Sequence, residues 1–176
     1  MSNSSKPNIY LVGFMGTGKS TIGRQLAQKL DYLFIDSDHA IEEEVGMPIP
    51  ELFEKQGEPV FRAMEKAFVD SGHPSEGCVV SCGGGLVFQP GMKEMLQAKG
   101  VVITLFASAE TVYERTRAHT NRPLLNVEDP KAEIERLLEE RMPVYQEAGI
   151  GVLTDGRGIS DIVGHIERIY QREVEK

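Results

Sequence analysis

Residues 13–20 read Gly13-Phe14-Met15-Gly16-Thr17-Gly18-Lys19-Ser20, which satisfies G-x-x-x-x-G-K-[ST]. Each residue type in that pattern has a physical task. Glycines let the backbone turn so that successive N–H groups point inward at phosphate oxygens. A helix opening at Lys19 adds the positive end of its dipole. Lys19 brings a full charge to β- and γ-phosphates, and Ser20 can ligate Mg²⁺. A ligand-free glycine turn would leave Lys19 at a helix start, where its charge is unfavourable. The pattern points to a nucleotide but not to a reaction.

Asp36-Ser37-Asp38 is the next group with chemical capacity. In an extended segment, side chains at i and i+2 share a face. Asp38 would then accept a proton from, or hydrogen-bond to, a substrate hydroxyl, while Asp36 helps hold Mg²⁺. The rival reading is plain N-capping of a helix over 40–45. Beside a phosphate loop the functional reading is favoured. Arg62 and Glu65 sit at i and i+3 on a predicted helix, a spacing that also describes an ordinary surface ion pair. Arg141 falls near the apolar stripe of Ile134 and Leu138, where an unpaired guanidinium is costly and a carboxylate ligand would offset it. Arg122 stands in an irregular stretch; it either closes over phosphates or is a solvated loop charge. Gly83-Gly84-Gly85 serves neither helix nor strand and allows a ligand to approach the backbone, or makes a tight turn. The four histidines show no metal spacing.

These residues must be positioned by alternating elements. Apolar runs predict strands over 9–12, 32–35, 78–81, 101–106 and 151–154. Helical spacing predicts helices over 19–30, 59–70, 108–117 and 130–141, and a last one from Ile159. Strands alternating with helices specify an α/β fold with a mostly parallel sheet. The phosphate loop, the acids and the glycines each follow a strand, so they face one crevice at the carboxyl ends. Residues 1–7 read as a disordered polar tail, 8–176 as one domain, and the stretch near 118–129 as a mobile lid.

Composition excludes several classes. The chain has 176 residues and a net charge of −8, with no basic run, so nucleic acid is a poor partner. No apolar stretch approaches the ~18 residues of a membrane span. The start lacks the apolar core of a signal peptide, which makes the cytoplasm the default expectation. Cys78 and Cys82 lie in one predicted strand and read as buried thiols; four strand residues span about 13 Å, too far for a disulfide. There is no N-K-x-D guanine-reading motif and no L-S-G-G-Q signature. A compact kinase acting on a small molecule is what remains.

The ordered motifs GFMGTGKST, DSD, LFEKQGEPVFRAME, CGGG, RPLL and ERMPVYQEA resemble the shikimate kinase family from Asn8 to about Arg172. That resemblance implies a P-loop kinase fold, a five-stranded parallel sheet in order 2-3-1-4-5 with helices on both faces. It implies ATP and Mg²⁺, with shikimate phosphorylated at its 3-hydroxyl by what is expected to be a monomer. By the same resemblance Gly13, Gly16, Thr17, Gly18, Lys19, Ser20 and Thr21 wrap the phosphates, and Ser20 and Asp36 serve the metal. Asp38 orients or deprotonates the 3-hydroxyl, Arg62 and Arg141 clamp the carboxylate, and Gly83, Gly84 and Gly85 line the site with backbone N–H groups near substrate. Arg122 comes from the lid, Arg115 lies by the adenine, and Arg157 belongs to the adenine-side loop. Cys82 departs from the small or hydroxyl residue expected before the glycines. Two rivals stand beside this reading: another small-molecule kinase, such as a gluconate or nucleoside monophosphate kinase, and an ATP-binding regulatory module without turnover.

Overall fold

Along the first strand, β1 (Asn8–Gly13), Ile9 and Leu11 pack into one apolar cluster while Tyr10 and Val12 pack into another. That alternation requires cover on both faces of the sheet, as parallel strands need. The computed structural model describes residues 5–119 and 123–176. After β1 come α1 (Lys19–Leu30), β2 (Leu33–Asp36), α2 (Ser37–Val45), α3 (Ile49–Gln56) and α4 (Glu58–Ser71). Then follow β3 (Cys78–Ser81), α5 (Met92–Lys99), β4 (Gly100–Phe106), α6 (Ala109–Thr116), α7 (Pro130–Ala148), β5 (Ile150–Leu153) and α8 (Ile159–Val174).

All five strands pair in parallel, in the order β2-β3-β1-β4-β5, as the resemblance implies. One face is covered by α1 and α8 through Ile22, Leu26, Ile162 and Ile166. The other is covered by α4, α5, α6 and α7 through Phe68, Leu96, Val112 and Ile134. A third, smaller cluster of Ile41, Leu52 and Phe61 holds α2, α3 and α4 together as a side wall. Both cysteines are buried and unbridged, as expected.

Four local differences from the sequence reading have physical causes. The helix expected over 40–45 begins at Ser37, because Asp36 caps it: its Oδ1 accepts from the N–H of Asp38 at 3.0 Å and of His39 at 3.2 Å. The helix expected to end at 141 runs to Ala148 through Pro143. An interior proline costs ~3 kcal/mol, and the continued helix offsets it by burying Tyr145 and Ala148. Helices α3 and α5 were not expected; each is only eight residues long, too short for a clear period. Within the tail expected to be disordered, residues 1–4 lie outside the described residues, but Lys6 and Pro7 are tied down. The Lys6 carbonyl accepts from the Gly77 N–H at 2.7 Å, and the Pro7 carbonyl accepts from the Tyr170 hydroxyl at 2.8 Å.

Where β1 turns into the glycine-rich loop, Gly13 has φ +146°, and a Cβ there would lie 2.5 Å from the Leu105 carbonyl oxygen of β4. That oxygen belongs to a paired strand and cannot yield. Gly13→Ala is therefore expected to lower stability by about 2–3 kcal/mol. Urea denaturation measures this, and an unchanged midpoint would show that the loop relaxes freely.

Candidate active site

The strand ends open onto a cleft of about 1160 Å³ lined by the loop after β1, the Asp36–Asp38 segment, Arg62, the glycines after β3, Arg115 and Arg141. The loop from Gly13 to Gly18 is built around two further left-handed glycines, Gly16 at φ +77° and Gly18 at φ +94°. Among the described residues no side chain caps α1, so its first turn presents its N–H groups to the cleft without a protein acceptor from a cap. Lys19 Nζ reaches back over the loop and donates to the carbonyls of Gly13 at 2.8 Å and Phe14 at 3.1 Å. Thr17 is buried and donates to the Phe14 carbonyl at 2.7 Å. Gly13 and Thr17 thus shape the loop from behind, while Gly16, Gly18, Lys19, Ser20 and Thr21 line the cleft.

Asp36 combines the two roles that the sequence left as alternatives. Its Oδ1 caps α2, and its Oδ2 accepts from Ser20 Oγ at 3.0 Å. Ser20 and Asp36 are two hard oxygen donors side by side, a donor set that suits a divalent cation sharing its shell with phosphates and water. Asp38 is not in an extended segment, since Ser37 already opens α2, yet it still lines the cleft. Burial, and then the Asp36 charge, push its carboxyl up to about 6 against the pull of Lys19 and Arg62.

Arg62 pairs with Glu58 at 3.2 Å and with Glu65. The surface-pair reading fails for Glu65, which is fully buried, is pushed up to about 7 chiefly by that burial, and has an Oε2 without a hydrogen-bond partner. Helical spacing does carry a signal for this burial: Glu65 stands four residues after Phe61 and three before Phe68, on the same buried stripe. Arg141 makes no ion pair among the described residues; its guanidinium lies over the rings of Phe14 at 5.8 Å and Phe88 at 5.4 Å. Arg115 donates to the Gly16 carbonyl at 3.0 Å and to Thr154 Oγ1 at 3.3 Å, so it braces the phosphate loop from α6. Arg157 does not line the cleft; it pairs with Asp161 at 2.8 Å and donates to the Leu153 carbonyl at 2.9 Å. Arg122 lies outside the described residues.

The glycines after β3 leave room for side chains as well as for a ligand. A Cβ on Gly83 would fall 2.7 Å from Asp38 Oδ1, and one on Gly85 would fall 2.8 Å from Arg62 Nη2. The Gly83 N–H, which the resemblance directs toward substrate, is given to Ser37 Oγ at 2.9 Å.

A model of the shikimate kinase family matches residues 15–170. The chain belongs to the shikimate kinase family. It is 48% identical over 164 residues to the shikimate kinase of Halorhodospira halophila, covering 93% of each chain. It is 40% identical over 165 residues to that of Thermodesulfovibrio yellowstonii, covering 94% of this chain and 95% of that one. Among solved structures, the shikimate kinase from Acinetobacter baumannii in complex with shikimate superposes with a TM-score of 0.89 at 38% identity, covering 97% and 96% of the two chains. A gluconokinase from Sinorhizobium meliloti reaches a TM-score of 0.57 at 20% identity, over 97% of each chain, which is a likeness of fold alone. Family membership makes the chain a shikimate kinase, an ATP-dependent transferase with a small-molecule substrate, and favours that reading over both rivals.

The raised Asp38 carboxyl has a consequence for stability. An unfolded aspartate loses its proton near pH 4, whereas the folded chain keeps it to about 6. The contribution of Asp38 is therefore most favourable below pH 4 and is lost as pH rises through 6. Asp38→Asn is expected to melt higher than the wild type at pH 8, with the gain shrinking through pH 6 and absent by pH 4. A lower melting temperature at pH 8 would mean that attraction to Lys19 and Arg62 outweighs burial.

Proposed function

We propose that this protein transfers the γ-phosphoryl group of ATP to the 3-hydroxyl of shikimate, with Mg²⁺, as a monomer in the cytoplasm. The observation that carries the reading is the juxtaposition of Asp38 with Arg62 across the Gly83–Gly85 turn, in the same cleft as Lys19. A carboxylate for a hydroxyl and guanidinium groups for an acid describe a polyhydroxy acid better than a nucleotide acceptor. A binding-only module would need neither. Among the described residues no helix is long and apolar enough to cross a membrane.

In this reading Gly16, Gly18 and the first turn of α1 hold the phosphates, Lys19 turns from the loop carbonyls to the β- and γ-oxygens, and Thr21 lines the same wall. Ser20 and Asp36 would hold Mg²⁺, which when bound neutralises charge on the phosphates. Arg62 and Arg141 take the carboxylate of the acceptor and so fix the ring. Asp38, ionised at neutral pH yet more basic than an ordinary carboxylate, orients the 3-hydroxyl and accepts its proton as the new O–P bond forms. The bond from the γ-phosphorus to the bridging oxygen breaks, and ADP leaves with that oxygen. Arg115 and Arg157 flank the adenine end. Residues 8–176 act as one domain, and the segment near 118–129 closes as a lid that brings Arg122 to the phosphates and excludes water. Leu124, in that segment, lines the cleft, which supports the placement of the lid.

ADP release with ATP and Mg²⁺ is expected to rise strongly with shikimate and not with gluconate or AMP, giving shikimate 3-phosphate. Stimulation by gluconate or AMP instead would overturn the acceptor. Arg62→Ala and Arg141→Ala are each expected to weaken shikimate binding by tenfold or more, measured by titration, with ATP affinity within about twofold. Equal loss of both affinities would remove the carboxylate clamp.

A further inference from the structure

Tyr145 is almost fully buried, yet it carries a polar group that no step above uses. It sits one helical turn after Arg141 on α7, past Pro143, in the part of the helix the sequence did not predict. Its hydroxyl donates to the Gly84 carbonyl at 2.6 Å, at the middle of the glycine turn. Its ring stands edge-on to Phe88, with centroids 5.3 Å apart and planes at 84°. Phe88 in turn offers its face to the Arg141 guanidinium. The backbone of Tyr145 is fixed as well: its carbonyl accepts from Thr104 Oγ1 of β4 at 3.0 Å.

These contacts join two walls of the cleft. On one side, Gly84 lies between Gly83, which borders Asp38, and Gly85, which borders Arg62. On the other, Arg141 rests on Phe14 and Phe88. We propose that Tyr145 is a positioning residue for the acceptor: its hydroxyl locks the glycine turn, and its ring seats Arg141 through Phe88. The two guanidinium groups that meet the carboxylate are thereby held at a fixed separation. The inference rests on the reading of Arg62 and Arg141 as the acceptor's carboxylate site. Consistent with it, Arg141 opposes the burial that pushes the Tyr145 hydroxyl up. Separation matters because a bidentate clamp loses most of its advantage when displaced by about 1 Å.

The test is steady-state kinetics of the whole chain with Tyr145→Phe, which keeps the ring against Phe88 and removes only the hydroxyl. The KM for shikimate is expected to rise about tenfold, the scale of one buried hydrogen-bond partner lost, with the KM for ATP within about twofold. In an Arg62→Ala background the same substitution is expected to raise the shikimate KM less, since the hydroxyl acts through the glycine turn that borders Arg62. Loss of packing alone would lower the melting temperature and leave the ratio of the two KM values unchanged, which would overturn the proposal. So would an equal tenfold rise in both backgrounds. Should Tyr145→Phe not fold, Phe88→Leu loosens the same seat from its half-exposed side; the same split is expected, and an unmoved shikimate KM overturns the role. A wild type that leaves shikimate unphosphorylated overturns the parent reading and this one with it. Wild-type turnover with an unmoved shikimate KM in the variant overturns the positioning role alone.

Discussion

Five parallel strands end on one edge of the sheet, and everything the cleft contains hangs from that edge. The loop after β1, the acids after β2 and the glycines after β3 are far apart in sequence, at residues 13–20, 36–38 and 83–85, but are neighbours because β3 lies between β1 and β2. Parallel pairing places them together only if the register is held, and the register is held by burial on both faces. Ile9 and Leu11 cannot exchange places with Tyr10 and Val12 without turning both apolar clusters inside out. The site is thus a by-product of the core's own alternation.

Upon that edge the chain concentrates charge. Asp36, Asp38 and Glu65 share a small volume with Lys19 and Arg62, and two of the three acids are held above their ordinary range by burial. Such a cluster does not stabilise the fold. It is tolerated because each member answers to another: Asp36 caps α2 and takes the Ser20 hydroxyl, and Glu65 takes Arg62. The packing of α2, α3 and α4 around Ile41, Leu52 and Phe61 joins the helices that carry Asp38 and Arg62.

Much of this was legible in the sequence, for reasons that can be named. The phosphate loop is local, so its spacing alone carries it. All five strands lie within one residue of where their apolar runs put them; the inner strands β1, β3 and β4 need such runs because both their faces are covered. The strand order came from the resemblance, not from periodicity. What escaped was non-local or short. Glu65 shares a stripe with Phe61 and Phe68, so the spacing hinted at its burial, but its partner-poor Oε2 exists only in three dimensions. The glycines promised close approach, but not that the approaching groups include Asp38 and Arg62. The helix expected over 130–141 continues through Pro143, because tertiary burial of Tyr145 and Ala148 outweighs the cost of an interior proline. Arg157 followed from the resemblance, yet its nearest contacts are Asp161 and the Leu153 carbonyl.

The glycine turn after β3 also bears on how such a site can change over generations. Neither Gly83 nor Gly85 has a positive φ, so nothing in the backbone forbids a side chain at either position. What resists one is the end of the Asp38 or Arg62 side chain rather than the backbone. A substitution at Gly83 would be felt in catalysis through Asp38, and one at Gly85 would also disturb the guanidinium that answers the buried Glu65. Drift at the turn and at the two charged residues is consequently coupled: each step alone is blocked, and a new acceptor preference would require changes at both together.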